Sequence, residues 1–164
     1  GMQALRQGAK SVTAVDASQR AIDAAAKNAT LNGYDDTQWR GICADAMNVM
    51  KEDVASGRRW SRIVCDPPKL ARARGHVNDA IKKYARINTL ALNALETGGL
   101  LLTCSCSQHI SDDAFTRMLT DAGHRLRRAV HVLERWGQAP DHPYLSAVPE
   151  GAYLTATLVA VEEL

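Results

Sequence analysis

The residues best suited to chemistry fall at four places: Asp16, Asp45, the run Asp66-Pro67-Pro68-Lys69, and Ser105-Cys106-Ser107. Carboxylates accept hydrogen bonds from sugar hydroxyls and exocyclic amines, a lysine supplies a cation, and a thiol becomes a nucleophile once ionised. The sequence is most restrictive around Asp66. Ile63, Val64 and Cys65 read as a buried strand that ends in two prolines. Neither proline has an amide N–H, and each biases the preceding residue to an extended conformation, so neither ladder nor helix continues. An acid and backbone carbonyls are left at a strand's C-terminal end, where open α/β sheets bind ligands.

The remaining elements must bring these places together. Residues 4–7 read as a helical remnant stopped by Gly8, 11–16 as a strand, and 19–31 as a helix with Ser18 as N-cap. Residues 39–43 are a second strand and 46–54 a short helix, before the strand at 63–66. The strongest helix is 76–96, where Ile81, Tyr84, Asn88, Ala91 and Leu95 recur at three- and four-residue steps. Gly98-Gly99 ends it, and 100–105 is a buried strand. Ser111 caps a helix over 112–122 with Gly123 as its stop, and 126–133 and 153–161 are strands. Strand and helix alternate, then two strands close the chain. That is an α/β pattern with a mostly parallel sheet and an antiparallel C-terminal pair.

In such a sheet Asp16, Asp45, Asp66 and Ser105-Cys106-Ser107 share one rim. An acid after the second strand of a nucleotide-binding α/β unit commonly holds a ribose hydroxyl pair, and Asp16 fits; Asp45 is placed to accept from an exocyclic amine. Each acid taken singly also reads as a helix cap or a solvated loop residue. Cys106 read alone is a nucleophile or a small buried hydrophobe, Cys104 is its rival, and Cys43 and Cys65 read as core. No Cys or His pair has the spacing that would make Cys104 and Cys106 a metal site.

Composition sets outer limits. At 164 residues, 46% hydrophobic and 23% charged, the chain reads as one domain, 1–164, with a substantial core. A formal charge of +2 neither demands nor excludes nucleic acid. Basic residues gather at Arg58-Arg59, between Lys69 and Arg74, at Lys82-Lys83 and between Arg125 and Arg128, where they read as solvated faces. No apolar run approaches the roughly 18 residues of a membrane-spanning helix, and no signal-peptide pattern opens the chain. Three of the four cysteines lie in apolar strand-like runs, which favours reduced thiols and a cytoplasmic setting.

Asp16, Asp45, Asp66-Pro67-Pro68-Lys69 and Thr103-Cys104-Ser105-Cys106-Ser107 together resemble the class I S-adenosylmethionine-dependent methyltransferases, with their Rossmann-like sheet. More narrowly, the chain resembles the RlmI-type bacterial large-subunit rRNA cytosine-C5 methyltransferases. The Ser-Cys-Ser after Gly-Gly-Leu-Leu and the late Gln138-Ala139-Pro140-Asp141-His142-Pro143 and Pro149-Glu150-Gly151-Ala152-Tyr153-Leu154 carry that narrower likeness. The resemblance implies S-adenosyl-L-methionine as cofactor and rRNA as partner. Asp16 with Ala17 would bind the cofactor ribose, Asp45 with the Ala46 amide the adenine, and Asp66 with Pro67 would lie near the methyl donor. Cys106 would be the nucleophile, its pKa lowered by Lys69 or by the helix opening near Ser111.

The family pattern also has an N-terminal RNA-binding region, and a first strand with a glycine-rich turn ahead of the strand at 11–16. The chain opens in what reads as a helix, so the expectation is a truncated sheet lacking that strand, or a homodimer whose neighbouring chain fills the gap. Two other functions stay open: methylation of a nucleobase nitrogen oriented by the Asp-Pro-Pro turn, and an inactive remnant that binds RNA or protein.

Overall fold

The structure, a computed structural model, describes residues 1–70, 77–107 and 110–164. Arg72, Arg74 and the start of the expected helix at His76 lie outside the described residues. The chain divides into two compact units, 1–52 and 53–164.

The first unit opens with α1 (Met2–Arg6), β1 (Val12–Asp16), α2 (Gln19–Leu31) and β2 (Trp39–Cys43). β1 and β2 pair in parallel, with Val12 opposite Trp39 and Asp16 opposite Cys43. Ser18 caps α2 by accepting from the Ala21 N–H at 3.3 Å. Leu5, Ile22, Ala29 and Trp39 form the core of this unit, with Val12 and Ala14 packed against it. Gly41 lets the Trp39 ring lie over the strand. A Cβ there would fall 2.6 Å from the ring and 2.7 Å from Ile22. α3 (Ala46–Ala55) carries the chain into the second unit.

The second unit contains β3 (Trp60–Cys65), α4 (Val77–Ala94), β4 (Leu95–Ser105), α5 (Asp112–Leu126), β5 (Arg128–Trp136) and β6 (Thr155–Glu163). Its strand order is β3-β4-β6-β5. β3 and β4 are parallel, and both pairings of β6 are antiparallel, which matches the expected antiparallel close. Among the described residues β1 pairs with β2 alone and β3 with β4 alone.

α4 and α5 pack on this sheet and on each other. Ala80, Tyr84, Asn88, Ala91 and Leu92 form the buried stripe of α4. Leu95, expected as its last member, instead begins β4, which starts five residues earlier than the apolar run at 100–105 suggests. The extra length is irregular: Trp60 faces Leu95 but Arg62 faces Leu100.

Gly123 does not stop α5. The helix runs on to Leu126, and Arg127 ends it in the left-handed region at φ 55°. The glycine is there for packing, because a Cβ would meet Val130 of β5 at 2.6 Å and the Arg128 carbonyl at 2.8 Å. Among the described residues no helix is long and apolar enough to cross a membrane.

Candidate active site

In the first unit the parallel strands put Asp16 at the end of β1 and Asp45 just past the neighbouring end of β2, since Asp16 lies opposite Cys43. One Asp16 carboxylate oxygen accepts from the Ser18 N–H at 2.7 Å. Asp45 Oδ1 accepts from the Met47 N–H (2.8 Å) and the Asn48 N–H (3.2 Å), which makes it the N-cap of α3. The cap reading and the binding reading are therefore compatible: capping engages Oδ1 alone. Among the described residues the second oxygen of each acid takes no hydrogen bond, nor does the Ala46 N–H at the first turn of α3. Two carboxylate oxygens and one amide donor fit a nucleoside, whose ribose diol and exocyclic amine donate and whose ring nitrogen accepts. Ala17 contributes backbone, its carbonyl accepting from Cys43 Sγ at 3.6 Å. Cys43, expected in the core, is exposed. It ends a strand and its sulfur turns toward the loop after β1.

In the second unit β3 and β4 run side by side, with Cys65 opposite Thr103, so Asp66 and Cys106 leave the sheet from the same end. β6 begins at that end, where Thr155 pairs with Ser105, and β5 finishes there with Trp136 opposite Ala156. Asp66 and Lys69 are exposed while Pro67 is buried, so the proline anchors the turn and both charges face outward. The loop between β5 and β6 rises from the same end. In it the Gln138 amide donates to the Gly151 carbonyl at 2.6 Å, and His142 Nδ1 lies 3.1 Å from Asp141 Oδ1. That contact holds the Asp141 carboxyl below its ordinary value, and Tyr144, Leu145 and Tyr153 stand exposed around it.

The electrostatics correct one expectation. The Cys106 thiol is not lowered below the ordinary cysteine value. Burial pushes it up first and the Asp66 carboxylate second, while Lys69 alone among the named influences pulls it down. The helix opening at Ser111 is not among those influences. Cys104 is pushed to about 11 by burial, by Asp66 and by Cys106, and Cys65 to about 12 by burial, by Cys104 and by Asp66. Cys104 is buried and Cys106 only half-buried, so of the two rivals Cys106 is the more accessible.

The sequence reading missed the groups that hold the Ser-Cys-Ser turn. Ser105 and Ser107 are each 2% exposed, and Tyr84 of α4 reaches Ser107. The available signal was Tyr84 in the buried stripe of α4, a position that asks for a hydroxyl partner.

The fold is that of the α/β class I methyltransferases. The chain superposes on the SMU.776 protein complexed with SAH with a TM-score of 0.80 at 18% identity, over 96% of this chain and 40% of that one. It superposes on the SAM-dependent methyltransferase from Agrobacterium tumefaciens with a TM-score of 0.63 at 23% identity, over 99% of this chain and 51% of that one. In sequence, the chain is similar to proteins named ribosomal RNA large subunit methyltransferase I. It is 41% identical to the one from Vibrio cholerae over 156 residues, 94% of this chain and 39% of the relative. It is 36% identical to the one from Alteromonas mediterranea over 160 residues, 98% of this chain and 40% of the relative. The chain thus spans about two-fifths of the length of these relatives. No family model matches it.

Proposed function

We propose that this chain supplies the catalytic part of a methyltransferase that transfers a methyl group from S-adenosyl-L-methionine to carbon-5 of a cytosine in large-subunit rRNA. Asp16 and Ala17 hold the ribose of the methyl donor, and Asp45 with the Ala46 N–H holds its adenine. The observation that carries this reading is the half-buried Cys106, leaving the sheet at the same end as Asp66 and within electrostatic reach of Asp66 and Lys69. Similarity in sequence to proteins named as rRNA methyltransferases supports it.

Carbon-5 of cytosine is a poor nucleophile. In this reading the Cys106 thiolate forms a bond to carbon-6, which pushes the ring's electron pair toward carbon-5 and makes that carbon enamine-like. S-adenosyl-L-methionine would supply the electrophilic methyl group that carbon-5 takes up, the methyl–sulfur bond breaking to leave S-adenosylhomocysteine. A base removes the carbon-5 proton, and the carbon–sulfur bond to Cys106 breaks, returning the pair to the ring and the thiolate to the protein. One hard step becomes several easier ones. Because the free thiol is held up by burial and by Asp66, formation of the thiolate relies on Lys69, the one named charge that favours it. The target base must also leave its stack to reach the sulfur.

Methyl transfer from radiolabelled S-adenosyl-L-methionine into unmodified large-subunit rRNA tests this. The expected result is label in 5-methylcytosine, lost in Cys106→Ala and retained in Cys104→Ala. Label on a nucleobase nitrogen, unaffected by Cys106→Ala, would favour the Asp-Pro-Pro reading instead.

A further inference from the structure

Cys106 sits in a turn held on both sides. Ser105 Oγ accepts from the Ser107 N–H at 3.3 Å, and the Ser107 carbonyl accepts from the Ile110 N–H at 2.9 Å. Both serines face inward at 2% exposure, whereas the cysteine between them is half-buried. The inward anchor is Tyr84. Its hydroxyl lies 3.2 Å from Ser107 Oγ, either group donating. The Tyr84 ring is fully buried and meets Phe115 of α5 edge-on, with centroids 5.7 Å apart and planes at 81°. One turn further along α4, the Asn88 amide donates to the Tyr84 carbonyl at 2.8 Å, which stiffens the helix beneath the ring. A phenol clamped in this way cannot follow a shifting serine, so the hydroxyl contact fixes the turn rather than trailing it.

We infer that Tyr84 is a positioning residue: through Ser107 it sets the 105–107 turn and hence the place of the Cys106 sulfur. The inference rests on the nucleophilic role proposed for Cys106. Bond formation needs the sulfur and the base carbon within about 3–3.5 Å and aligned, and a displacement of about 1 Å costs on the order of 100-fold. Ser105 and Ser107 act with Tyr84 as anchors: both are 2% exposed, and their hydroxyls engage the Ser107 N–H and the Tyr84 hydroxyl.

Tyr84→Phe tests this in the full chain, since it keeps the ring and its Phe115 contact and deletes one oxygen. Two readouts are taken: iodoacetamide alkylation of each cysteine by peptide mass, and kcat and KM on rRNA. Loosening the turn exposes the thiol and relieves the burial that holds it up, so Cys106 alkylation should accelerate about threefold. Alkylation of Cys104 and Cys65 should stay unchanged. Meanwhile kcat should fall about tenfold with KM within about twofold. Ser107→Ala should act alike, and the double variant should add little to either. Wild-type alkylation and wild-type kcat in Tyr84→Phe would overturn the inference. So would acceleration of all three thiols together, which would mark a loosened core. If the wild-type chain transfers no methyl group, the proposed function fails, while the selective Cys106 alkylation still decides whether Tyr84 positions that thiol.

Discussion

The Arg128 guanidinium donates through Nη1 to the carbonyls of Leu92 at 2.5 Å and Leu95 at 2.8 Å, tying the start of β5 to the end of α4 and the start of β4. Helix ends leave carbonyls without intrahelical partners, and here a partly buried cation satisfies them. Arg128→Met keeps the aliphatic stem and removes both donors. It should destabilise the chain by about 2 kcal/mol, the scale of hydrogen bonds to a charged group. That corresponds to a fall of roughly 4–8 °C in Tm for a chain of this size, read by thermal denaturation.

Asp45 separates capping from binding. Asn caps helices as well as Asp does, so Asp45→Asn should leave Tm within about 1 °C of wild type. It replaces an acceptor oxygen with an amide donor opposite the exocyclic amine proposed as its partner. S-adenosylhomocysteine should then bind about tenfold more weakly by calorimetric titration, a change of about 1.4 kcal/mol. Asp45→Ala should lose the same affinity and about 1 kcal/mol of stability as well.

The charges around Cys106 predict opposite effects on its reactivity. Asp66 raises this thiol and Lys69 lowers it. Asp66→Asn should therefore increase the thiolate fraction and speed alkylation at pH 7.5 about threefold. Lys69→Met should slow it about twofold, a modest effect because an exposed charge is screened. In the wild type the alkylation rate should climb with pH and reach half its plateau above the ordinary cysteine value of about 8.5. Cys104 and Cys65, at about 11 and about 12, should lag far behind.

The strand ends were legible because local chemistry dictates them. Asp66-Pro67-Pro68 terminates β3 by removing two amide donors, and Ser18 and Ser111 cap α2 and α5 as their positions suggest. The boundary at Leu95 was not legible. A helical period and a β ladder both accept leucine there, and its pairing with Trp60, 35 residues away, decides the outcome. Gly123 was misread for a related reason: its spacing says helix stop, whereas the approach of Val130 from β5 makes it a packing glycine. At the site, the residue types of Asp16, Asp45, Asp66 and Cys106 could be read directly. The raised Cys106 thiol could not, because burial is set by the folded surroundings and outweighs the lysine that sequence places nearby. Tyr84 and Ser107, 23 residues apart, share a hydrogen bond that only the packing of α4 against the end of β4 creates.

Trapping the bond between Cys106 and the target base separates this mechanism from its rivals. With 5-fluorocytidine in the rRNA there is no carbon-5 proton to remove, so the cysteine cannot leave once the methyl group has been transferred. The account predicts a denaturation-resistant protein–RNA adduct that requires S-adenosyl-L-methionine, maps to Cys106, persists in Cys104→Ala and disappears in Cys106→Ala. An adduct that survives in Cys106→Ala, or methylation of rRNA by Cys106→Ala at the wild-type rate, would contradict it.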